Sequence, residues 1–185
     1  MINDVMNDAD AKMGKSVEAT REEFAAIRAG RANPAMFAKI TADYYGTQTP
    51  LQQLASFSSQ DARTILIQPF DIGAMGNIER AIRDSDLGVN PANDGKVLRC
   101  VFPELTEERR KEYIKLAKTK AEEGRVAIRN VRRHAKDSMD RSIKDGEVGE
   151  DEGKSAEKRL DGVTKKYVDS IDELLKHKEA ELLEV

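Results

Sequence analysis

The sequence predicts an α+β protein, a bundle of three long helices with a small α+β domain inserted after the first of them. Three observations point there. Apolar or small residues recur at steps of three and four over positions 6–27, 114–142 and 160–182, the spacing of one buried helical stripe. Over 35–103 the pattern shifts to short alternating runs and takes in four of the five prolines. Charged residues make up 35% of the 185 residues, aromatics 5%, and tryptophan is absent. That profile suits long solvated helices with aliphatic seams better than an aromatic-rich sandwich or a deep ligand pocket.

The first helix follows from the stripe at 6, 9, 13, 17, 20, 24 and 27. Gly30 is a natural residue to follow a helix, Arg28 and Arg31 suit the negative end of its dipole, and Asn33-Pro34 bars continuation, so the helix is expected to stop near 29. In the insert, 39–45 alternates like a strand, Gly46 and Pro50 punctuate the next stretch, and 63–68 is a compact β-branched run that reads as a buried strand. Met75, Ile78 and Ile82 mark a short helix ending before Gly88, and Asp94-Gly95 reads as a hairpin turn leading into a strand over 97–102. Pro103 closes the insert. Thr106 then caps a second long helix whose first turn holds Glu107 and Glu108, while Arg109 occupies the acidic position of a reciprocal capping box. Positions 114, 117, 121, 124, 128, 131, 135, 138 and 142 continue without a proline, a helix of about 40 residues and roughly 60 Å. Gly146 and Gly149 make a turn, and Leu160, Val163, Tyr167, Ile171, Leu174 and Leu182 carry a third helix to the end.

These elements divide the chain into a bundle, 1–30 with 105–185, and an inserted domain, 31–104. The insert hangs from the bundle on two short connections, Gly30, Arg31, Ala32 and Asn33 on one side and Phe102, Pro103, Glu104 and Leu105 on the other. Two connections at one end of a bundle are expected to act as a hinge.

The net charge of −3 conceals a segregation: 105–145 carries 13 Lys and Arg against 8 Asp and Glu, whereas 146–185 carries 7 against 12. Within the basic segment Arg125, Arg129, Arg132, Arg133 and Lys136 fall at i, i+4, i+7, i+8 and i+11 and share one side of the helix, while Ile128, Val131 and Ala135 face elsewhere. No acidic residue lies within 125–136, although Glu122 and Asp137 flank it. The row therefore reads as cations displayed to a polyanion, with nucleic acid the fitting class and the acidic flanks favouring one docking orientation. Without interleaved aromatics it is expected to read backbone and shape rather than stack on splayed bases.

Little supports catalysis, and no enzyme activity, metal or cofactor is expected. The only imidazoles, His134 and His177, lie on charged helix faces. Gly73-Ala-Met-Gly76 lacks the length and the Lys-Ser/Thr of a phosphate loop, and Glu150-Asp-Glu152 reads as a charged connection between helices. The single Cys100 excludes an internal disulfide and, among alternating strand neighbours, reads as a packed thiol. No apolar run approaches the ~20 residues that span a membrane, and the first residues resemble neither a signal nor a transit peptide. Work in the cytoplasm is the expectation.

Several spaced motifs resemble those of the bacterial ribosome recycling factor family, in order and over the whole chain. They are Arg28-Ala-Gly-Arg-Ala-Asn-Pro34, Tyr44-Tyr-Gly-Thr-Gln-Thr-Pro50 continuing to Leu54-Ala55, Ser85-Asp-Leu-Gly88 with Asn90-Pro91, Leu105-Thr-Glu-Glu-Arg-Arg110, Val126-Ala-Ile-Arg-Asn-Val-Arg-Arg133 and the terminal Lys178-Glu-Ala-Glu-Leu. The resemblance implies an L-shaped molecule of a three-helix bundle and a hinged β/α/β domain. It also implies a non-enzymatic factor that enters the post-termination ribosome and, with elongation factor G and GTP hydrolysis by that partner, separates the subunits. By the same resemblance the bundle lies against large-subunit ribosomal RNA through Arg129, Arg132 and Arg133. Arg28, Arg31 and Arg110 match further motif positions and are the next candidates for RNA contact, and elongation factor G is expected to push on the small domain and hinge. Such a factor is expected to act as a monomer. The chain departs from the family pattern at Val101 and Glu104, where prolines are common and of which only Pro103 remains, and at His134, where an acid is common; the first change is expected to loosen the hinge or to retune which elongation factor works with it, and the second to add charge to the row at low pH. The rival class is a coiled-coil adaptor whose cationic row meets an acidic protein surface.

Overall fold

The computed structural model describes residues 1–184. Three long helices are present: α1 (Ile2–Ala26), α4 (Glu107–Lys144) and α5 (Glu150–Leu183). The shorter elements between α1 and α4 are β1 (Thr41–Tyr44), β2 (Thr47–Pro50), α2 (Leu51–Leu54), β3 (Ala55–Asp61), β4 (Thr64–Pro69), α3 (Met75–Arg83), β5 (Ala92–Asn93) and β6 (Leu98–Val101). Contacts divide the chain into two compact units, Met1–Phe24 with Ile114–Ala180, and Ala25–Tyr113 with the residues from Glu181 onward. These divisions fall inside α1 and α4 rather than at 30 and 105. Ile27, Arg28 and Ala29 are buried and belong to the second unit, and α1 stops at Ala26, short of 29.

In the first unit α1 buries Met6, Ala9, Met13, Val17, Thr20 and Phe24, the predicted stripe, and Ile2 extends it to the start of the helix. Helix α4 buries Ala117, Ala121, Gly124, Ile128 and Ala135, after which the stripe steps by four to Met139 and leaves Ser138 exposed. Helix α5 buries Ala156, Leu160 and Ile171. The three helices meet at Gly124, where an added Cβ would overlap Thr20 Oγ1 and come to 2.8 Å of Ile171 Cδ1. Tyr167 Oη donates to Asp10 Oδ1 at 3.0 Å, tying α5 to α1. Thr106 Oγ1 accepts from the Arg109 amide at 3.1 Å, the predicted cap of α4. Gly146, with φ of 74°, turns the chain. Glu150, Asp151 and Glu152 form the first turn of α5 rather than a connection, the end at which a helix dipole favours acids.

The second unit pairs β1 with β2 as a hairpin and lays β3-β4-β6-β5 into an antiparallel sheet. Its core holds Phe37, Leu51, Ile65, Ile67, Leu98 and Phe102, with Met75, Ile78 and Ile82 of α3 packed into it. The Asp94-Gly95 turn joins β5 to β6: Asp94 Oδ1 accepts from the Lys96 and Val97 amides at 3.0 and 2.8 Å. Strands β2 and β3 are additions to the elements that the sequence pattern predicts. At the β1–β2 turn Tyr45 adopts φ of 50° before Gly46 at 88°, a pairing of left-handed residues that matches hairpin twist. Asp71 holds this corner, accepting from Tyr44 Oη at 3.1 Å, Tyr45 Oη at 3.0 Å and the Gly73 amide at 2.8 Å. Among the described residues no helix is long and apolar enough to cross a membrane.

Candidate nucleic-acid interface

The cation row lies on α4 as the spacing requires, within an arc of roughly 100° at 100° per residue. Its members are not equivalent. Arg125 donates Nε to Asp172 Oδ1 at 2.8 Å and Nη1 to Glu122 Oε2 at 3.1 Å. Arg132 donates Nε to Asp161 Oδ1 at 2.7 Å. Lys136 pairs with Asp140 at 3.0 Å and Glu157 at 3.9 Å, and Arg129 with Glu122 at 3.3 Å. The expectation of a row without acidic partners is therefore overturned for four of its five members. The carboxylates come from one or two turns away on α4 and from α5, which returns antiparallel alongside it. Arg133 differs: it is exposed, donates Nη2 to Asn130 Oδ1 at 2.8 Å and, among the described residues, pairs with no carboxylate.

The pairing also shows in protonation. Burial alone would lower the Arg125 pKa, but the hydrogen bonds to Asp172 and Glu122 carry it above its ordinary value. The Lys136 ammonium is likewise raised, first by its hydrogen bond to Asp140 and then by the Asp140 and Glu157 charges. Both groups stay cationic over any physiological pH. His134 lies off the row, in a shallow groove with Asp4, Asp8 and Lys12 of α1, so it does not extend the cationic surface.

The remaining arginine candidates lie in the second unit and divide sharply. Arg28 is buried, its Nη2 donates to the Pro103 carbonyl, and its guanidinium lies 5.4 Å from the Phe102 ring centroid. Desolvation lowers its pKa, and its Nε has no hydrogen-bond partner. In this structure it is an internal tie, whereas the sequence pattern alone has it displayed. Arg31 and Arg110 line one cleft of about 680 Å³ with Arg63, Glu104, Glu181 and Glu184. Arg63, which no sequence motif singles out, is thus a neighbour of both.

Each of the two connections is tied to the β3–β4 turn by one backbone hydrogen bond. The Ala32 amide donates to Ala62 O at 2.8 Å and the Phe102 amide to Arg63 O at 2.7 Å. Asn33 caps the short 3₁₀ turn Pro34–Phe37, accepting from the Ala35 amide at 2.8 Å. Gly30 and Leu105 are half-buried, Arg31, Pro103 and Glu104 exposed, and Ala32 and Phe102 wholly interior. Val101 closes β6 opposite Thr64.

Cys100 is fully buried and desolvation pushes its thiol up to about 12, so it carries no thiolate. His134 and His177 are exposed on helix faces. Among the described residues no group of three or more His, Cys, Asp or Glu side chains is placed to hold a metal.

Comparison with known proteins accords with this geometry. The family model described as ribosome recycling factor matches residues 20–183. A ribosome-recycling factor of Nocardioides sp. is 74% identical over 185 residues, covering 100% of both chains. One from Streptomyces avermitilis is 65% identical over the same span, again covering 100% of each. Among solved structures, the solution structure of a ribosome recycling factor matches with a TM-score of 0.77 at 40% identity, covering 100% of this chain and 98% of that one. A second match has a TM-score of 0.69 at 41% identity and covers 100% of each chain. It comes from models of the T. thermophilus ribosome recycling factor and the E. coli elongation factor G bound to the E. coli post-termination complex. The chain belongs to the ribosome recycling factor family.

Proposed function

We propose that this chain enters the post-termination ribosome and, with elongation factor G hydrolysing GTP, separates the subunits for another round of translation. The observation that carries the reading is the end-to-end match, at 74% identity, to a ribosome-recycling factor. The chain itself is a translation factor without enzymatic activity, and it works in the cytoplasm as a monomer. The bundle anchors on large-subunit ribosomal RNA through α4. Arg133 is the cation ready to meet a phosphate, with Arg129, Arg132, Arg125 and Lys136 beside it, and arginine's planar fork suits that contact. Arg31 and Arg110 are secondary contacts. The small domain and its two connections form the moving part on which elongation factor G pushes, and α4, 38 residues long and so about 57 Å at 1.5 Å per residue, is the stiff strut that carries the force.

The test is a splitting assay. Purified post-termination ribosomes, elongation factor G and GTP are mixed with the protein, and subunit release is followed by light scattering. Release that needs all three components and is lost in an Arg129→Ala/Arg132→Ala/Arg133→Ala variant supports the reading. Ribosome binding that survives ribonuclease, with no splitting, would return the coiled-coil adaptor to first place.

A further inference from the structure

Three carboxylates on α5 face the cation row, and RNA contact by the row does not by itself require them. Glu157, Asp161 and Asp172 share one side of α5, since the offsets are i, i+4 and i+15. In sequence they run opposite to their partners: Arg125 meets Asp172, Arg132 meets Asp161 and Lys136 meets Glu157. Both arginines fork onto a single oxygen. Nε and Nη2 of Arg132 each lie 2.7 Å from Asp161 Oδ1, and those of Arg125 lie 2.8 and 2.7 Å from Asp172 Oδ1. The arginine side chains are 32% and 18% exposed, so these pairs are partly withdrawn from water and less screened than a pair on the open surface.

We propose that Asp161 and Asp172 set the selectivity of the row: they hold Arg132 and Arg125 in internal ion pairs, so that RNA in general finds little free charge and only a correctly shaped phosphate array engages the row. The proposal rests on the reading that α4 binds ribosomal RNA. Its physical basis is an exchange. A phosphate that takes an unpaired arginine gains a charge-assisted hydrogen bond outright, whereas one that displaces a carboxylate trades one such bond for another. Arg133 offers the first kind of contact and Arg125 only the second, because its Nη1 is also spent on Glu122. Arg132 is intermediate: the contacts with Asp161 use Nε and Nη2 and leave Nη1 outside the pair, while the two-point contact fixes the plane of the guanidinium. A phosphate placed where Nη1 points is recognised without breaking the pair. A phosphate elsewhere is not, and the acids thereby convert a non-specific cationic face into a directional one.

The test uses the full chain with Asp161→Asn/Asp172→Asn, and a control variant Asp151→Asn/Glu173→Gln that removes the same charge from α5 at exposed positions without ion pairs to the row. Binding to a random-sequence RNA duplex and to isolated large subunits is measured across a salt series, with thermal melts verifying that each variant is folded. The proposal predicts that the Asp161/Asp172 variant binds the duplex at least about tenfold tighter than the control and with a salt slope steeper by about two. Its preference for large subunits over duplex falls by a similar factor. Equal duplex affinities and slopes in the two variants, with wild type still binding large subunits, would overturn the proposal alone. Absence of salt-sensitive large-subunit binding by wild type would overturn the RNA reading and the proposal with it.

Discussion

Two glycines within helices offer opposite outcomes for the same substitution. At Gly124 a Cβ would overlap Thr20 Oγ1 and approach Ile171 Cδ1 at 2.8 Å; at Gly162 nothing lies within 4 Å. In each helix alanine is intrinsically favoured over glycine by about 0.8–1.0 kcal/mol. At Gly162 that gain stands alone, and Gly162→Ala should stabilise by about 0.5–1 kcal/mol. At Gly124 the neighbour cannot swing away, because Thr20 is 4% exposed, its Oγ1 donates to Ser16 O at 3.0 Å, and its β-branched stem already lies 3.5 Å from the new atom. Overpacking costs typically about 1–3 kcal/mol, and two overlaps at once put this site in the upper part of that range, about 2–3 kcal/mol, so Gly124→Ala should lose about 1–2 kcal/mol net. At about 2–4 °C per kcal/mol for a chain of this size, melting should fall by about 2–8 °C in that variant and rise by about 1–4 °C in Gly162→Ala, read by circular dichroism. Adding Thr20→Ala to Gly124→Ala removes the obstructing oxygen and should show a favourable coupling of about 1 kcal/mol in a double-mutant cycle. A Gly124→Ala protein that melts at or above wild type would refute the packing argument.

Three further outcomes concern single sites. Arg28→Met keeps the packing stem but strands the Pro103 carbonyl, and should cost roughly 1–2 kcal/mol in urea unfolding while leaving the large-subunit affinity of the folded protein unchanged; a selective loss of affinity would restore Arg28 as a contact. Cys100, with its thiol pushed up to about 12, should resist iodoacetamide at pH 8 until the protein is unfolded; stoichiometric labelling of native protein would contradict its burial. The Asp71 carboxyl is held below its ordinary value by the Gly73 amide and then by the Tyr45 and Tyr44 hydroxyls. A depressed folded-state pKa contributes stability above the unfolded value of 3.8 that is lost as pH falls through the folded one. Asp71→Asn should therefore flatten the acid limb of the denaturant midpoint against pH, and an unchanged limb would remove Asp71 from that balance.

The features legible in the sequence are those that local periodicity and turn chemistry encode. The α1 stripe from Met6 to Phe24, the Thr106 cap, the Asp94-Gly95 turn and the run that becomes β4 all depend on residues close in sequence. Strand β3 is nearly silent because its alternation stops at Ala55 and Phe57, with Ser58, Ser59 and Gln60 polar and exposed beyond them, and its place is fixed by pairing with β4, a non-local constraint. The phase slip at Ser138 and Met139 has the same origin: steps of three and four are both helical, and packing selects between them. The burial of Arg28 is not legible because a charged residue beyond a helix end ordinarily faces water, whereas here it reaches a carbonyl 75 residues away. The acids facing the cation row do leave a signal in the sequence. A helix hairpin turning near 147 brings residues whose numbers sum to about 294 side by side, which places 132 near 162 and 125 near 169, within a turn of Asp161 and Asp172. Taken on one helix alone the row looks unpaired, but its charge balance is a property of two.

Whether α4 anchors the protein on large-subunit RNA by oriented electrostatics is decided by cosedimentation with isolated large subunits across a salt series, wild type beside Arg132→Glu and Arg133→Ala. Electrostatic anchoring predicts saturable wild-type binding that weakens as salt rises, a salt slope reduced by about one in Arg133→Ala, and loss of binding in Arg132→Glu at moderate salt. Binding of Arg132→Glu as tight as wild type at the same salt would contradict it.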